Sequence, residues 1–139
     1  MNLFSNYQKR FLHYLKSLEK KKIIDLPNHL KNLTVELPPK GHKADMSCNV
    51  AMILAKFNQK TPLDLANILK KNFLENFKEF KKIDVAKPGF LNINFKVDFW
   101  KNHLFEIIQS GANYGSNKNL QQKYNIEFVS ANPTGPLHV

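Results

Sequence analysis

The sequence predicts an α+β fold, with helices packed on one side of a small, mostly antiparallel sheet. Three observations carry this. Apolar residues recur at steps of three and four in four stretches, two other stretches alternate apolar and polar residues, and Pro and Gly punctuate the joins. The length of 139 residues suits one domain with a real core.

Leu3, Tyr7, Phe11, Tyr14, Leu15 and Leu18 mark an amphipathic helix over 2–20, ending in the cationic run Lys20-Lys21-Lys22 that suits a helix C-terminus. Leu33, Val35 and Leu37 alternate with Thr34 and Glu36, which predicts a strand stopped by Pro38-Pro39. Residues 44–57 read as a second helix, apolar on most sides, with Asp45 and Asn49 as polar exceptions near its start. Thr61-Pro62-Leu63-Asp64 is a helix start, with Thr as N-cap, Pro at the first position and Asp in the first turn. Leu65, Leu69, Phe73 and Phe77 then form its inner stripe.

Ile83 and Val85 begin a strand, Lys87-Pro88-Gly89 breaks it, and a second strand covers 90–96. Period two sends Leu91, Ile93 and Phe95 one way and Phe90, Asn92 and Asn94 the other. The apolar set needs the core more, so Phe90 and Asn92 are expected on an exposed face. Trp100, Leu104, Ile107 and Ile108 mark a last helix closed by Gly111. Residues 111–123, rich in Asn, Gln, Gly and Ser, read as a linker between a domain over 1–110 and a further segment over 124–139. In that segment Ile126–Val129 forms a short strand running into a Pro/Gly-rich turn.

The formal charge of +10 invites an anionic partner such as RNA, DNA or a membrane surface. Genome composition accounts for the same charge, because every basic residue but Arg10 is Lys, and Lys, Asn, Ile and Phe share A/T-rich codons. Cys48, the lone cysteine, rules out an intrachain disulfide, fits the cytosol and argues against a zinc site. No apolar run is long enough to cross a bilayer.

A strand that ends in a Pro/Gly-rich turn and then a His suits entry to a nucleotide site, where Gly135 lets the backbone approach a ligand and His138 can donate to phosphate. The string IEFVSANPTGPLHV resembles the segment of bacterial arginyl-tRNA synthetases that leads into the "HIGH" signature of class I enzymes. ADMSCNVAMILAK and KPGFLNINF resemble a helix and a strand of that family's N-terminal domain.

The resemblance implies an N-terminal piece of an arginine–tRNA ligase. It would hold a tRNA-binding domain followed by the first strand of a truncated Rossmann-type catalytic domain, ending inside the signature. It implies that Glu127, Ser130 and Asn132 contact arginine and that His138 helps bind ATP and stabilise the transition state. Asn49, Phe90 and Asn92 would contact the D-loop corner of tRNA. One departure is that Thr134-Gly135-Pro136 stands where some members carry a Lys near the glycine. The full enzyme would use ATP with Mg, L-arginine and tRNA in the cytoplasm as a monomer. This chain alone is expected to be inactive and to hold no metal or cofactor. Two rivals are a non-catalytic basic RNA-binding module and an interaction domain that sets its basic first helix on an acidic partner or membrane.

Overall fold

The computed structural model describes residues 2–30, 32–116 and 125–126. Helix α1 spans Leu3–Lys20. Asn2 caps it, its side-chain oxygen accepting from the N–H groups of Phe4 and Ser5 at 2.9 and 3.2 Å. The expected stripe is the buried one: Tyr7, Phe11, Leu15 and Leu18 all face inward.

Strand β1 is only Val35–Glu36. Leu33 and Val35 are buried as expected, but Leu37 is 67% exposed because pairing stops at Glu36, just before Pro38-Pro39.

The helix expected over 44–57 is a strand followed by a short helix. Strand β2 is Met46–Cys48 and helix α2 is Val50–Leu54. Met46 pairs with Ile93 and Cys48 with Leu91 on one side, and Cys48 pairs with Val35 on the other. These partners lie far along the chain, so local periodicity carries no sign of them. The two polar exceptions act as struts. Asp45 accepts the Phe95 N–H at 2.8 Å through its carboxylate. Asn49 ties the loop before β1 to the start of α2.

Helix α3 spans Pro62–Asn76 with the expected cap. Thr61 Oγ1 accepts from the Asp64 N–H at 3.1 Å and donates to the Asp64 carboxylate at 2.6 Å. Strands β3, Phe80–Ala86, and β4, Phe90–Phe95, form an antiparallel hairpin with a register shift between Phe80 and Lys82. The hairpin turn approaches α3 so closely that a Cβ on Gly89 would lie 2.7 Å from the Cβ of Pro62. The sheet order is β1-β2-β4-β3, antiparallel throughout, with β4 between the earlier β2 and its own hairpin partner.

Helices α1, α2 and α3 join the inward strand residues in one core. Its densest part is aromatic. Phe11 meets Phe73 at 4.7 Å between ring centroids, Phe77 stacks on Phe80 at 5.0 Å, and Tyr7 meets Phe95 at 5.1 Å. Arg10 closes this part at the surface. Its guanidinium lies 4.6 Å from the Tyr7 ring centroid and 2.6 Å from Glu79, which also accepts the Tyr7 hydroxyl at 2.9 Å. Helix α4, Val97–Ser110, follows β4 directly and ends at Gly111, where φ is +50°.

Burial pushes the Cys48 thiol from its ordinary 9.0 up to about 12, against a smaller opposing effect of the Val50 N–H. Burial first, then the hydrogen bond to Glu79, also raises the Tyr7 phenol above its ordinary 10.0. The unfolded chain therefore sheds protons above pH 9 that the folded chain keeps. Stability from these groups is complete below that pH and is lost as pH rises toward 12. Urea unfolding from pH 8 upward should show a falling free energy, and Tyr7→Phe should flatten the part above pH 10. A level free energy over that range in the parent protein would contradict the assignment.

Candidate nucleic-acid interface

The pleat of β4 sorts the sheet into two faces. Leu91, Ile93 and Phe95 are buried in the core. On the opposite face, cross-strand pairing sets Glu36, Ser47, Asn92 and Asp84 in one row. Asn94 lies opposite Lys82 in the next row, and Phe90 opposite Ala86 at the hairpin end.

This face is less open than expected. Phe90 is half-buried, and Asn92 is only 7% exposed. Asn92 and Ser47, the latter only 3% exposed, sit on the two interior strands, each flanked by a paired strand on both sides. The expectation of a freely exposed Phe90 and Asn92 is corrected to a shallow, partly shielded patch. The Asn94 amide donates to the Lys43 carbonyl at 3.2 Å, so the loop before β2 reaches the edge of the patch. Lys82 lies 2.6 Å from the Asp84 carboxylate and offsets its charge on the face.

Ser47 was not legible as a member of this patch, because residues 44–57 read as a helix. Its place on the face follows from the pairing Ser47↔Asn92, which no local pattern states. The patch combines an aromatic ring, two amides and a hydroxyl, flanked by the Glu36 and Asp84 carboxylates on the edge strands. A ring offers a stacking surface to an unpaired base, and amides can both donate to and accept from a base edge.

Asn49 stands apart from this patch, at the N-cap position of α2. Its side-chain oxygen accepts from the Thr34 N–H at 2.9 Å and its amide donates to the Asn32 carbonyl at 3.0 Å. Both ends of the amide are therefore engaged within the chain. Glu127, Ser130, Asn132 and His138 lie outside the described residues. Among the described residues, no three His, Cys, Asp or Glu side chains are grouped to hold a metal ion, and no helix is long and apolar enough to cross a membrane.

A second charged feature is the solvent side of α1. Lys9, His13, Lys16 and Lys20 are exposed at helical spacing, with Glu19 as the only acidic residue on the helix. This stripe lies on the helix face opposite the buried stripe, turned away from the core.

Fold and patch together define a small basic α+β domain whose sheet presents an aromatic and amide-bearing face away from its helices. The chain belongs to the arginyl-tRNA synthetase family, since residues 5–95 match the family model described as the arginyl tRNA synthetase N terminal domain. It is 46% identical over 140 residues to the arginine–tRNA ligase of Pelagibacter ubique (strain HTCC1062), covering 100% of this chain and 24% of that protein. With the same coverage it is 36% identical to the arginine–tRNA ligase of Wolbachia pipientis subsp. Culex pipiens (strain wPip) and 38% identical to that of Parvibaculum lavamentivorans (strain DS-1 / DSM 13023 / NCIMB 13966). The chain thus spans 24% of the length of these curated relatives.

The two bonds of Asn49 predict a structural effect. Asn49→Ala leaves the Thr34 N–H and the Asn32 carbonyl without that partner and should lower stability by about 1–3 kcal/mol. Chemical unfolding measures this, and an unchanged midpoint would show that the tie contributes nothing to the fold.

Proposed function

We propose that this chain serves as the N-terminal, tRNA-contacting part of an arginine–tRNA ligase. The whole enzyme activates L-arginine with ATP and Mg, forming arginyl-adenylate and releasing pyrophosphate, and then transfers the aminoacyl group to the terminal adenosine of its tRNA. Membership of the synthetase family supports this reading, as do relatives named as arginine–tRNA ligases. The observation that carries the RNA contact is the grouping of Phe90, Asn92, Asn94 and Ser47 on the sheet face opposite the core. The chain as a whole carries a formal charge of +10, while on the face itself Lys82 offsets Asp84.

On this reading Phe90 stacks on an unpaired base at the D-loop corner of the tRNA, and Asn92 reads its edge. Glu127 pairs with a cationic group of arginine, assisted by Ser130 and Asn132. His138 donates to ATP phosphate. The working enzyme is a cytoplasmic monomer. The domain acts on catalysis by positioning the tRNA, because held geometry removes part of the entropic barrier.

In a ligase-length protein carrying this sequence, Phe90→Ala should weaken arginine-tRNA binding or charging by roughly ten- to a hundredfold, the equivalent of one lost base stack. Because the ring is half-buried, a modest drop in melting temperature should accompany it. Asn92→Ala should cost less affinity and relax the choice of base at the contacted position. Charging kinetics on tRNA variants read both effects, and unchanged charging by Phe90→Ala would remove the stacking role.

The 139-residue chain alone should show no ATP–pyrophosphate exchange, yet should bind tRNA in a salt-sensitive way and leave anionic vesicles unbound. Exchange activity in the purified chain would overturn the assignment of catalysis to a longer protein. Vesicle binding without tRNA binding would favour a membrane-facing domain.

A further inference from the structure

Helix α4 carries an apolar strip that its own domain uses only at the first turns. Val97, Trp100, Leu104 and Ile108 recur at helical spacing and are 64%, 38%, 57% and 67% exposed. Phe105 beside them is 60% exposed, and no residue of the helix is fully buried. Large apolar side chains in one strip amount to on the order of several hundred Å² of exposed apolar surface, the upper range for a monomer.

The helix is held to the core at its first turns. Phe99 stacks on Phe95 at 4.1 Å between centroids, and Trp100 meets Phe95 edge-on at 5.5 Å. Beyond these rings the strip runs on without a partner among the described residues.

We propose that this strip is the docking surface for the remaining body of the ligase-length polypeptide, an inference that rests on the reading given under Proposed function. Three observations favour that occupant. The match to the N-terminal-domain family ends at residue 95, immediately before the α4 N-cap at Lys96, so the helix lies between that domain and whatever follows. Similarity to the full ligases nevertheless continues through α4, over 100% of this chain, and those ligases are about four times as long. The strip is also uncharged, and the helix itself carries only Asp98, Lys101 and Glu106 as charged residues.

A phosphate backbone would need a row of cations there. A membrane surface would need Lys or Arg along the flanks of the strip. An apolar protein surface needs neither. Docking there would fix the tRNA-contacting sheet relative to the rest of the enzyme through a single helix rather than through a free linker.

Hydrogen exchange of residues 97–110 tests this in the 139-residue chain and in the ligase-length protein, with sedimentation of both. The expected result is exchange at least about tenfold slower in the longer protein only, and restored to the faster rate there by Leu104→Asp with Ile108→Asp. The same pair should leave the melting temperature of the 139-residue chain unchanged, because both side chains are exposed. Equal exchange in the two proteins would overturn the docking. So would protection in the 139-residue chain accompanied by a dimer mass, which would make a second copy the occupant. Arginine charging by the longer protein separates the two claims. Charging with an unprotected α4 refutes the docking alone, whereas a protected α4 without charging refutes the ligase reading and leaves the docking standing.

Discussion

Strand β4 has to bury Leu91, Ile93 and Phe95 on one side, and that requirement places almost everything else. Because β4 is bonded on both edges, its register is fixed twice, by Met46↔Ile93 in β2 and by Ile83↔Ile93 in β3. A slip of one residue would turn three apolar side chains out of the core and bring Phe90, Asn92 and Asn94 in, leaving two amides to find partners among rings and aliphatic chains. The same alternation that builds the core therefore gathers the aromatic and amide residues on the other face. The core and the proposed RNA surface are two sides of one constraint.

The helices serve that constraint from one side. Tyr7 and Phe11 of α1, Phe73 of α3 and Phe80 and Phe95 of the hairpin fill a continuous aromatic region. Arg10, the only arginine, sits over the Tyr7 ring and bonds Glu79, so it pins α1 to the turn before β3. A lysine there would keep the charge but lose the flat guanidinium that covers the ring. The chain's most specific cation thus belongs to the fold, while the lysines along the outer side of α1 remain a diffuse field.

Elements whose stability is local were the ones legible in the sequence. Thr61, Pro62 and Asp64 state the start of α3 within four residues, and the stripe of α1 repeats over about four turns. The hairpin was legible because Lys87-Pro88-Gly89 separates two runs that alternate in step. Strand β2 was not, since three residues cannot display a period and Met46, Ser47 and Cys48 lie within a stretch whose apolar spacing also suits a helix. What makes them a strand is pairing with β4, 47 residues further on at Met46↔Ile93. The patch was legible in part for the same reason: Phe90 and Asn92 follow from period two, whereas Ser47 and the shielding of Asn92 depend on pairing across the sheet. Asn49 shows the same limit. Its RNA role is implied by the resemblance alone, and its bonds to Thr34 and Asn32 are contacts that no local spacing states. The strip on α4 was legible as amphipathic, though no spacing rule says whether such a strip faces its own core or another body.

The sheet face opposite the core is the proposed RNA contact. Titrating isotope-labelled 139-residue chain with arginine-specific tRNA, and following backbone and side-chain amide NMR signals, tests it most directly. The largest changes should fall on Phe90, Asn92, Asn94 and Ser47, including the side-chain amide signals of the two asparagines. Changes confined to Lys9, His13, Lys16 and Lys20 on the outer side of α1, with the sheet signals unmoved, would contradict it.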